Sequence, residues 1–363
     1  LTLIPFLAAA GELKTKPTQH SVKTLLESGI QPDILVCRTE HSLNHDIKRK
    51  IAIFCNVEID AVIESLDVST IYEVPILMQK EGLDKVVLRK LKMSNKNKNK
   101  IDLKDWNRFL NILKNPAKET SIAVIGKYVE LPDAYKSISE SILHAGTNNS
   151  CKVNIKWIHA EEINRKNIKE KLEQISGVLV APGFGDRGMQ GKIDTIKYVR
   201  EHHIPFFGIC LGMQSAVIEF SRNVLNIKDA NSTEMDLNTS APVIHLMETQ
   251  KNIEEKGGTM RLGSYNCNLI QNTNASKAYK NSDIKERHRH RFEFNNNFKA
   301  ELENAGMIAS GINQENNLVE IIEIPSHPWF VGVQFHPEYK STVSNPHPLF
   351  CDFIQACIQK DNQ

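Results

Sequence analysis

The stretch Pro205-Phe206-Phe207-Gly208-Ile209-Cys210-Leu211-Gly212-Met213-Gln214 decides the fold. Its opening is an apolar run short enough for a buried strand, and Met213, Val217 and Ile218 then follow at helical spacing. A strand that runs into a helix through Gly-x-Cys-x-Gly has the pattern of a nucleophile elbow, with Cys where many hydrolases carry Ser. Gly208 and Gly212 are expected to permit the sharp turn that exposes the side chain at the carboxyl end of a sheet. The partial positive charge of the helix N-terminus then favours the thiolate. Taken alone, Cys210 also reads as a buried structural thiol between two tight-packing glycines, because free cysteines are usually inert.

The flanking sequence supplies the rest of a site. Gln334-Phe335-His336-Pro337-Glu338 offers a base and its orienting carboxylate, since residues two apart in an extended chain share a face. By itself this tripeptide also reads as a strand end with Glu338 solvated. Ala181-Pro182-Gly183-Phe184-Gly185 ends the apolar run Gly177–Val180 just upstream of the elbow. Gly183 there, and Leu211 directly after the cysteine, are candidate backbone N–H donors for a tetrahedral oxyanion. As bare punctuation the same loop is a simple turn. Its value comes from its position beside Cys210.

The surrounding pattern is α/β. Ile122–Gly126, Val153–Ile158 and Gly177–Val180 read as strands, Tyr135–His144 and 193–201 as helices, and the chain turns β-rich after Asn231, with strands near 319–324 and 330–335. An earlier strand–helix block occupies residues 1–92. In it, Leu1–Ala10 is expected to be a buried strand and 33–37 and 61–63 further strands, with helical patterns at 22–26 and 48–54. Between the blocks, Ser94-Asn95-Lys96-Asn97-Lys98-Asn99-Lys100 cannot bury a core and reads as a solvated linker, so the expected division is 1–92, a linker over 93–119, and 120–363. A length of 363 residues suits two domains.

Composition narrows the function. The 45 Lys and Arg against 43 Asp and Glu leave a net charge of +2, without the basic excess of a dedicated nucleic-acid binder. No apolar run is long enough to span a bilayer. Seven scattered cysteines without a paired Cys-x-x-Cys fit neither a disulfide framework nor a zinc site, and point to a reducing compartment. Leu1–Ala10 superficially resembles a signal-peptide apolar segment, but it lacks an initiating Met and a preceding basic region, and reads better as a strand entering mid-domain.

With these residues in place the chain resembles the CTP synthase family. The elbow FGICLGMQ (207–214) and QFHPE (334–338) are similar to class I glutamine amidotransferases in general. KTKPTQHSVK (14–23), GKYVELPDAYKS (126–137), GGTMRLG (257–263) and ERHRHRFE (286–293) narrow the resemblance to CTP synthases. It implies a truncated parallel-sheet synthetase domain followed by a class I glutamine amidotransferase α/β domain. It also implies that Cys210, His336 and Glu338 form the glutaminase triad, with glutamine contacts at Gly183, Leu211, Gly212, Met213, Gln214, Glu234 and Arg291. Physically, Gln214 and Glu234 suit the α-ammonium and amide dipoles of that substrate, and Arg291 its α-carboxylate. Unaided, Glu234 reads as a solvated loop carboxylate, and Arg287, Arg289 and Arg291 as an exposed basic face.

The resemblance further implies that ammonia passes to a synthetase domain where ATP and Mg2+ activate UTP for amination to CTP. GTP is the implied activator through the 257–263 segment, which otherwise reads as a hairpin turn, and CTP the implied feedback inhibitor. A cytoplasmic homotetramer is implied, with no nucleic-acid or membrane partner. Lys14, Thr15, Lys16, Pro17, Thr18 and Gln19 match the pyrimidine-nucleotide loop, and Lys50 a further nucleotide contact. The bland alternatives are a solvated basic turn and a charged helix face. No Gly-x-x-x-x-Gly-Lys-Ser/Thr loop occurs in the 363 residues, and the family's ATP lysine and magnesium carboxylates match positions upstream of Leu1, so no metal site is expected within the chain. The chain as given is therefore expected to keep glutaminase chemistry but not ATP-dependent amination. The alternatives are another class I amidotransferase, which the KTKPTQ loop and HRHR segment oppose, and a non-catalytic assembly or regulatory form of the same fold.

Overall fold

The computed structural model describes residues 1–93, 102–246 and 260–362. Two compact units divide the chain, Leu1–Leu110 and Asn111–Gln363.

In the first unit, strands β1 (Thr2–Ile4), β4 (Leu35–Thr39) and β5 (Val62–Leu66) form a parallel sheet in the order β1-β4-β5. Between β1 and β4 lie the short hairpin β2 (Phe6–Leu7) and β3 (Glu12–Leu13) and helix α1 (Lys16–Glu27). Helix α2 (His45–Cys55) joins β4 to β5, starting where the Asn44 side chain accepts a 2.9 Å hydrogen bond from Ile47 N–H. Helices α3 (Val74–Lys80), α4 (Leu83–Lys90) and α5 (Lys104–Lys114) follow. Ile4, Val22, Leu35, Cys37, Ile51 and Val62 make the core.

Two expectations are corrected here. Leu1–Ala10 is not one buried strand: β1 stops before Pro5, which has no N–H to give a ladder, and the chain turns back at Gly11, whose φ is +62°. Only Ile4 of this run is fully buried, while Leu1, Leu3 and Leu7 are exposed. Nor is 93–119 linker throughout. Helix α5 occupies its middle, anchored by Trp106 Nε1–H donating to Tyr72 O at 2.7 Å and by Phe109 edge-on to Tyr72, and the division between units falls within it. Its apolar spacing (Trp106, Phe109, Leu110, Leu113) was the available signal. The Asn/Lys run 94–100 lies outside the described residues.

The second unit is built on a nine-stranded sheet. In chain order its elements are β6 (Lys118–Gly126), α6 (Lys136–Asn148), β7 (Cys151–His159), α7 (Ile168–Lys171), β8 (Gly177–Val180), α8 (Met189–Glu201), β9 (Phe206–Ile209) and α9 (Leu211–Asn223). After these come β10 (Ala230–Ser232), β11 (Ala241–Leu246), β12 (Arg261–Leu269), α10 (Asn274–Tyr279), β13 (Asp283–His290), β14 (Phe292–Phe294), α11 (Lys299–Asn304), β15 (Ile308–Asn313), β16 (Leu318–Glu323), β17 (Phe330–Val333) and α12 (Pro348–Asp361). The sheet order is β13-β12-β15-β16-β17-β9-β8-β6-β7, parallel from β17 to β7 and antiparallel elsewhere. β10, β11 and β14 form a separate small sheet. The long β12–β13 hairpin and β15 escaped the sequence reading, because their buried positions are mostly polar and show no apolar alternation.

Side chains alternate faces along the central strands. Ala123, Ile125, Val178, Val180 and Phe206 pack with α8 and α9 on one face, and Ile122, Val124, Leu179, Phe207 and Ile209 with α6 and α12 on the other. The elbow sits at the carboxyl end of β9, flanked by β8 and β17. Cys210 itself takes the unusual backbone, with φ +52° and ψ −104°. The glycines serve another purpose than the expected turn. A Cβ on Gly212 would lie 2.3 Å from Val180 O, and one on Gly208 would lie 2.8 Å from the Gly212 carbonyl carbon. They let the first turn of α9 press directly on the sheet.

Gly212→Ala is therefore expected to lower stability by about 1–3 kcal/mol, the range for overpacking a tight interior. Gly183→Ala meets only ordinary contacts, 3.6 Å to Leu211 Cδ2, and should change stability by less than about 0.5 kcal/mol. Urea midpoints measure both, and an unmoved midpoint for Gly212→Ala contradicts the packing argument.

Candidate active site

His336 lies three residues past the end of β17 and caps a one-turn 3-10 helix, Pro337–Tyr339. The segment is thus coiled rather than extended, which corrects the reasoning by strand alternation. The expected contact forms all the same: His336 Nδ1 and Glu338 Oε1 are 2.7 Å apart, both side chains buried. His336 N–H donates to Arg287 O at 2.8 Å, fixing the start of the turn to β13, and the Tyr339 ring stacks on the imidazole with centroids 5.1 Å apart. Nε2 has no partner in full hydrogen-bonding geometry. Burial pushes the imidazole toward the neutral form, but Cys210 and Glu338 beside it outweigh that and hold its pKa well above the ordinary value. The ring thus stands between the sulfur of Cys210 and the carboxylate of Glu338.

The loop after β8 is held by its carbonyls. Buried Lys127, at the end of β6, gives its ammonium to Phe184 O and, at 2.6 Å, to Gly185 O. Glu234 Oε1 takes the Gly185 N–H at 2.7 Å, so the peptide between Phe184 and Gly185 is gripped at both ends. On the other side, fully buried Lys192 donates to Ala181 O at 2.8 Å. The Pro182–Gly183 peptide lies between these fixed points. Among the described residues, neither Gly183 N–H nor Leu211 N–H is given to a protein acceptor. Sequence reasoning passed over Lys127 and Lys192, although the first stands in the quoted GKYVELPDAYKS.

A cavity of about 360 Å³ opens over Cys210, lined by Tyr128, Tyr135, Ser137, Pro182, Gly183, Phe184, Arg289, His336, Glu338 and Tyr339 among others. Of the expected glutamine contacts it includes Gly183 but not Gln214, Glu234 or Arg291. Gln214 is buried with its amide nitrogen engaged by Phe292 O and Gln334 Oε1. Glu234 reaches the loop rather than the cavity. Arg291 is half-buried at the break between β13 and β14, while Arg289, one alternation earlier, lines the cavity wall. Leu211, Gly212 and Met213 are buried in the first turn of α9, leaving their backbone as the part that can face a ligand. Lys285, Arg287 and Arg289 lie together on the exposed face of β13, with Arg291 half-buried beyond it, while Glu286, His288 and His290 are buried on the other face.

In the first unit, Lys14 to Gln19 run from the end of β3 into α1. Lys14 pairs with Glu12, and Lys50 is near enough for its charge to act on the same carboxylate. Thr18 is fully buried, donating to Leu3 O at 3.0 Å, and Gln19 Nε2–H donates to Thr15 Oγ1 at 3.1 Å, so these side chains serve the fold. Lys16 and Pro17 remain exposed. Gly257, Gly258 and Thr259 of the expected activator segment lie outside the described residues; Arg261 and Leu262 begin β12, with Arg261 buried between Glu320 and Glu293. Among the described residues no group of three or more His, Cys, Asp or Glu is gathered as metal ligands. The seven cysteines are all unpaired by disulfides.

Burial, with Lys127 nearby, pushes the Lys192 ammonium down to about 7 against a pull upward from Cys210. Below pH 7 both folded and unfolded chains carry this proton, and the folded state bears the full cost of burying it. The cost is relieved as pH rises from about 7 toward 10.5, where only the unfolded chain still binds the proton. Lys192→Met is expected to stabilise the chain by roughly 2–4 kcal/mol at pH 6, after the lost hydrogen bond is set against the relieved charge. The gain should shrink steadily toward pH 9.5. Urea unfolding across that range checks it, and a pH-independent difference rules it out.

Comparison with known proteins bears on both units. Residues 1–93 match the family model for the CTP synthase N-terminus, and residues 130–356 that for glutamine amidotransferase class-I. A CTP synthase of Christiangramia forsetii is 62% identical over 356 residues, covering 98% of this chain and 65% of that protein. One of Flavobacterium psychrophilum is 61% identical over 363 residues, covering 100% of this chain and 67% of its own. The chain thus spans about two thirds of the length of these relatives. The solved Trypanosoma brucei CTPS glutaminase domain with bound acivicin is 34% identical, with a TM-score of 0.62, over 67% of this chain and 95% of that one. With a matching model on each unit and identity along its whole length, the chain belongs to the CTP synthase family.

Proposed function

We propose that this chain hydrolyses glutamine at Cys210 and that the ammonia released serves the amination of UTP to CTP. The observation that carries the reading is the pairing of a strand–helix elbow cysteine with a buried imidazole that Glu338 grips through Nδ1, at the floor of a cavity. The side-chain amide of glutamine enters the cavity with its δ-carbon over Sγ. His336 holds the proton taken from the thiol, and the thiolate attacks the δ-carbon. The C–O π electrons move onto oxygen, where the N–H groups of Gly183 and Leu211 receive them. His336 then protonates the nitrogen, the C–N bond breaks, and ammonia leaves a thioester on Cys210. Water, deprotonated by His336, attacks the thioester and releases glutamate and the thiol.

In this reading Arg289, on the cavity wall, joins Arg291 as a reader of the substrate's α-carboxylate, and Glu234 and Gln214 act through the loop and the elbow. In the first unit, Lys14, Lys16 and Lys50 supply cationic contacts for a UTP or CTP triphosphate. The family's ATP and Mg2+ chemistry would activate UTP, GTP would stimulate and CTP inhibit, in a cytoplasmic homotetramer. Among the described residues no helix is long and apolar enough to cross a membrane. For these 363 residues the proposal is the glutaminase half-reaction.

A glutamine-analogue chloroketone tests it. Labelling should vanish in Cys210→Ala and persist in Cys55→Ala, whose sulfur is buried in the other unit's core. His336→Ala should lower glutaminase kcat by roughly 10²–10⁴-fold and Glu338→Gln by less, since the carboxylate orients rather than transfers the proton. An unlabelled chain in the presence of GTP and nucleotide favours the non-catalytic form instead, and negligible losses in both variants contradict the triad.

A further inference from the structure

We propose that Gln334 is a further catalytic residue of the glutaminase centre, donating an amide N–H to the sulfur of Cys210 and holding it as the nucleophilic anion. The inference rests on the reading of Cys210 as the nucleophile. Gln334 is fully buried just beyond β17, and its Nε2 lies 3.8 Å from Cys210 Sγ. An amide end that faces sulfur could be either the NH2 or the oxygen, with opposite consequences. A donor favours the thiolate and an acceptor repels it.

The surroundings fix the choice. Phe292 O is a backbone carbonyl and can only accept, so the Gln214 NH2 must face it, as it does at 3.0 Å. The second hydrogen on the same nitrogen goes to Gln334 Oε1 at 3.1 Å. With its oxygen occupied there, Gln334 presents its NH2 to the sulfur. Reversing either amide would set oxygen against oxygen or hydrogen against hydrogen between two buried side chains. One acceptor-only group thus dictates, through two side chains, that a donor meets the nucleophile.

The direction of approach assigns the role. Gln334 does not line the cavity over Cys210, whereas Gly183, His336 and Arg289 do. Its N–H therefore reaches the sulfur from the protein side, and substrate arrives from the other. A donor so placed acts on the free enzyme and through the attack, without contributing to glutamine binding. Hydrogen bonds to an ionised partner are about twice as strong as neutral ones. His336 and Gln334 then share the thiolate, the first as the proton carrier and the second as a fixed dipole.

The test uses the 363-residue chain. Gln334→Leu removes the donor; Gln334→Glu keeps the shape and the acceptor for Gln214 but turns an oxygen toward sulfur, and guards against misfolding of the first. Both should lower glutaminase kcat about 10–100-fold with KM for glutamine within about threefold. Iodoacetamide alkylation of Cys210, scored against Cys210→Ala, should slow about tenfold at pH 7 and recover toward the unsubstituted rate by pH 9, which a general loosening of the fold would not produce. Unchanged kcat, a rise in KM alone, or slowed alkylation with no recovery at pH 9 overturns the proposal. Absence of selective Cys210 alkylation in the unsubstituted chain overturns the nucleophile reading, and this inference with it.

Discussion

The close seating of α9 on the sheet is the contact on which the rest of the second unit depends. With Val180 O where a Gly212 Cβ would stand, the first helical turn is pressed against the end of β8, and the backbone at Cys210 must take a positive φ to make the passage. A non-glycine residue in that region is strained by roughly 1–3 kcal/mol, and it persists where the neighbours over-determine it. Here they do. Cys210 N–H donates to Val333 O at 2.7 Å, its carbonyl accepts from Gln214 N–H at 3.1 Å, and Gly208 and Gly212 leave no slack on either side. The same seating aligns the helix N-terminus with the sulfur and brings the end of β17, hence Gln334 and His336, alongside.

Charge burial follows from that geometry. Lys127 and Lys192 put two ammonium groups behind the loop after β8, where they hold carbonyls that would otherwise be free to turn toward the cavity. The held carbonyls of Ala181, Phe184 and Gly185 flank the Pro182–Gly183 peptide, whose Gly183 N–H is the one left to serve as an oxyanion donor. The arrangement is unfavourable for Lys192, wholly desolvated and near another cation, so the site carries a local cost that the surrounding core offsets. Such conflicts between stability and arrangement are expected where a fold is shaped for chemistry.

Much of this was legible. The elbow, the glycine loop and the His-Pro-Glu turn announce themselves because each needs special residues at fixed spacing, and the parallel strands because they are short apolar runs. The failures share a cause. Hairpin β12–β13 buries Glu286, His288, His290 and Arg261, so polarity alternates with polarity and no hydrophobic period marks it. Helix α5 was hidden by its neighbour, the Asn/Lys run, whose composition coloured the reading of the whole segment. Gln214 was expected as a substrate contact from the family resemblance. Only the three-dimensional position of Phe292 O and Gln334 shows that its amide is turned inward.

The buried polar face of β13 explains why so many ionisable groups stand behind the site. Glu286 accepts from Tyr279 Oη–H at 3.0 Å and Lys340 Nζ at 3.2 Å and lies 3.3 Å from His347 Nε2, tying the segment after His336 to the strand whose Arg287 carbonyl holds the His336 amide. One residue pair along, burial drives His288 and His290 toward the neutral form, while burial raises Glu293 and Glu320 against the pull of Arg261. Were both imidazoles charged, three cations would crowd together with two carboxylates in a buried cluster, Arg261 being already stacked 4.3 Å over the Tyr265 ring. Neutral rings avoid that excess and still bond one another, His288 Nδ1 to His290 Nε2 at 2.9 Å. The hairpin can then be rigid without an apolar core of its own. Its exposed edge stays free to offer Arg289 to the cavity, while its buried edge fixes the turn that carries the base.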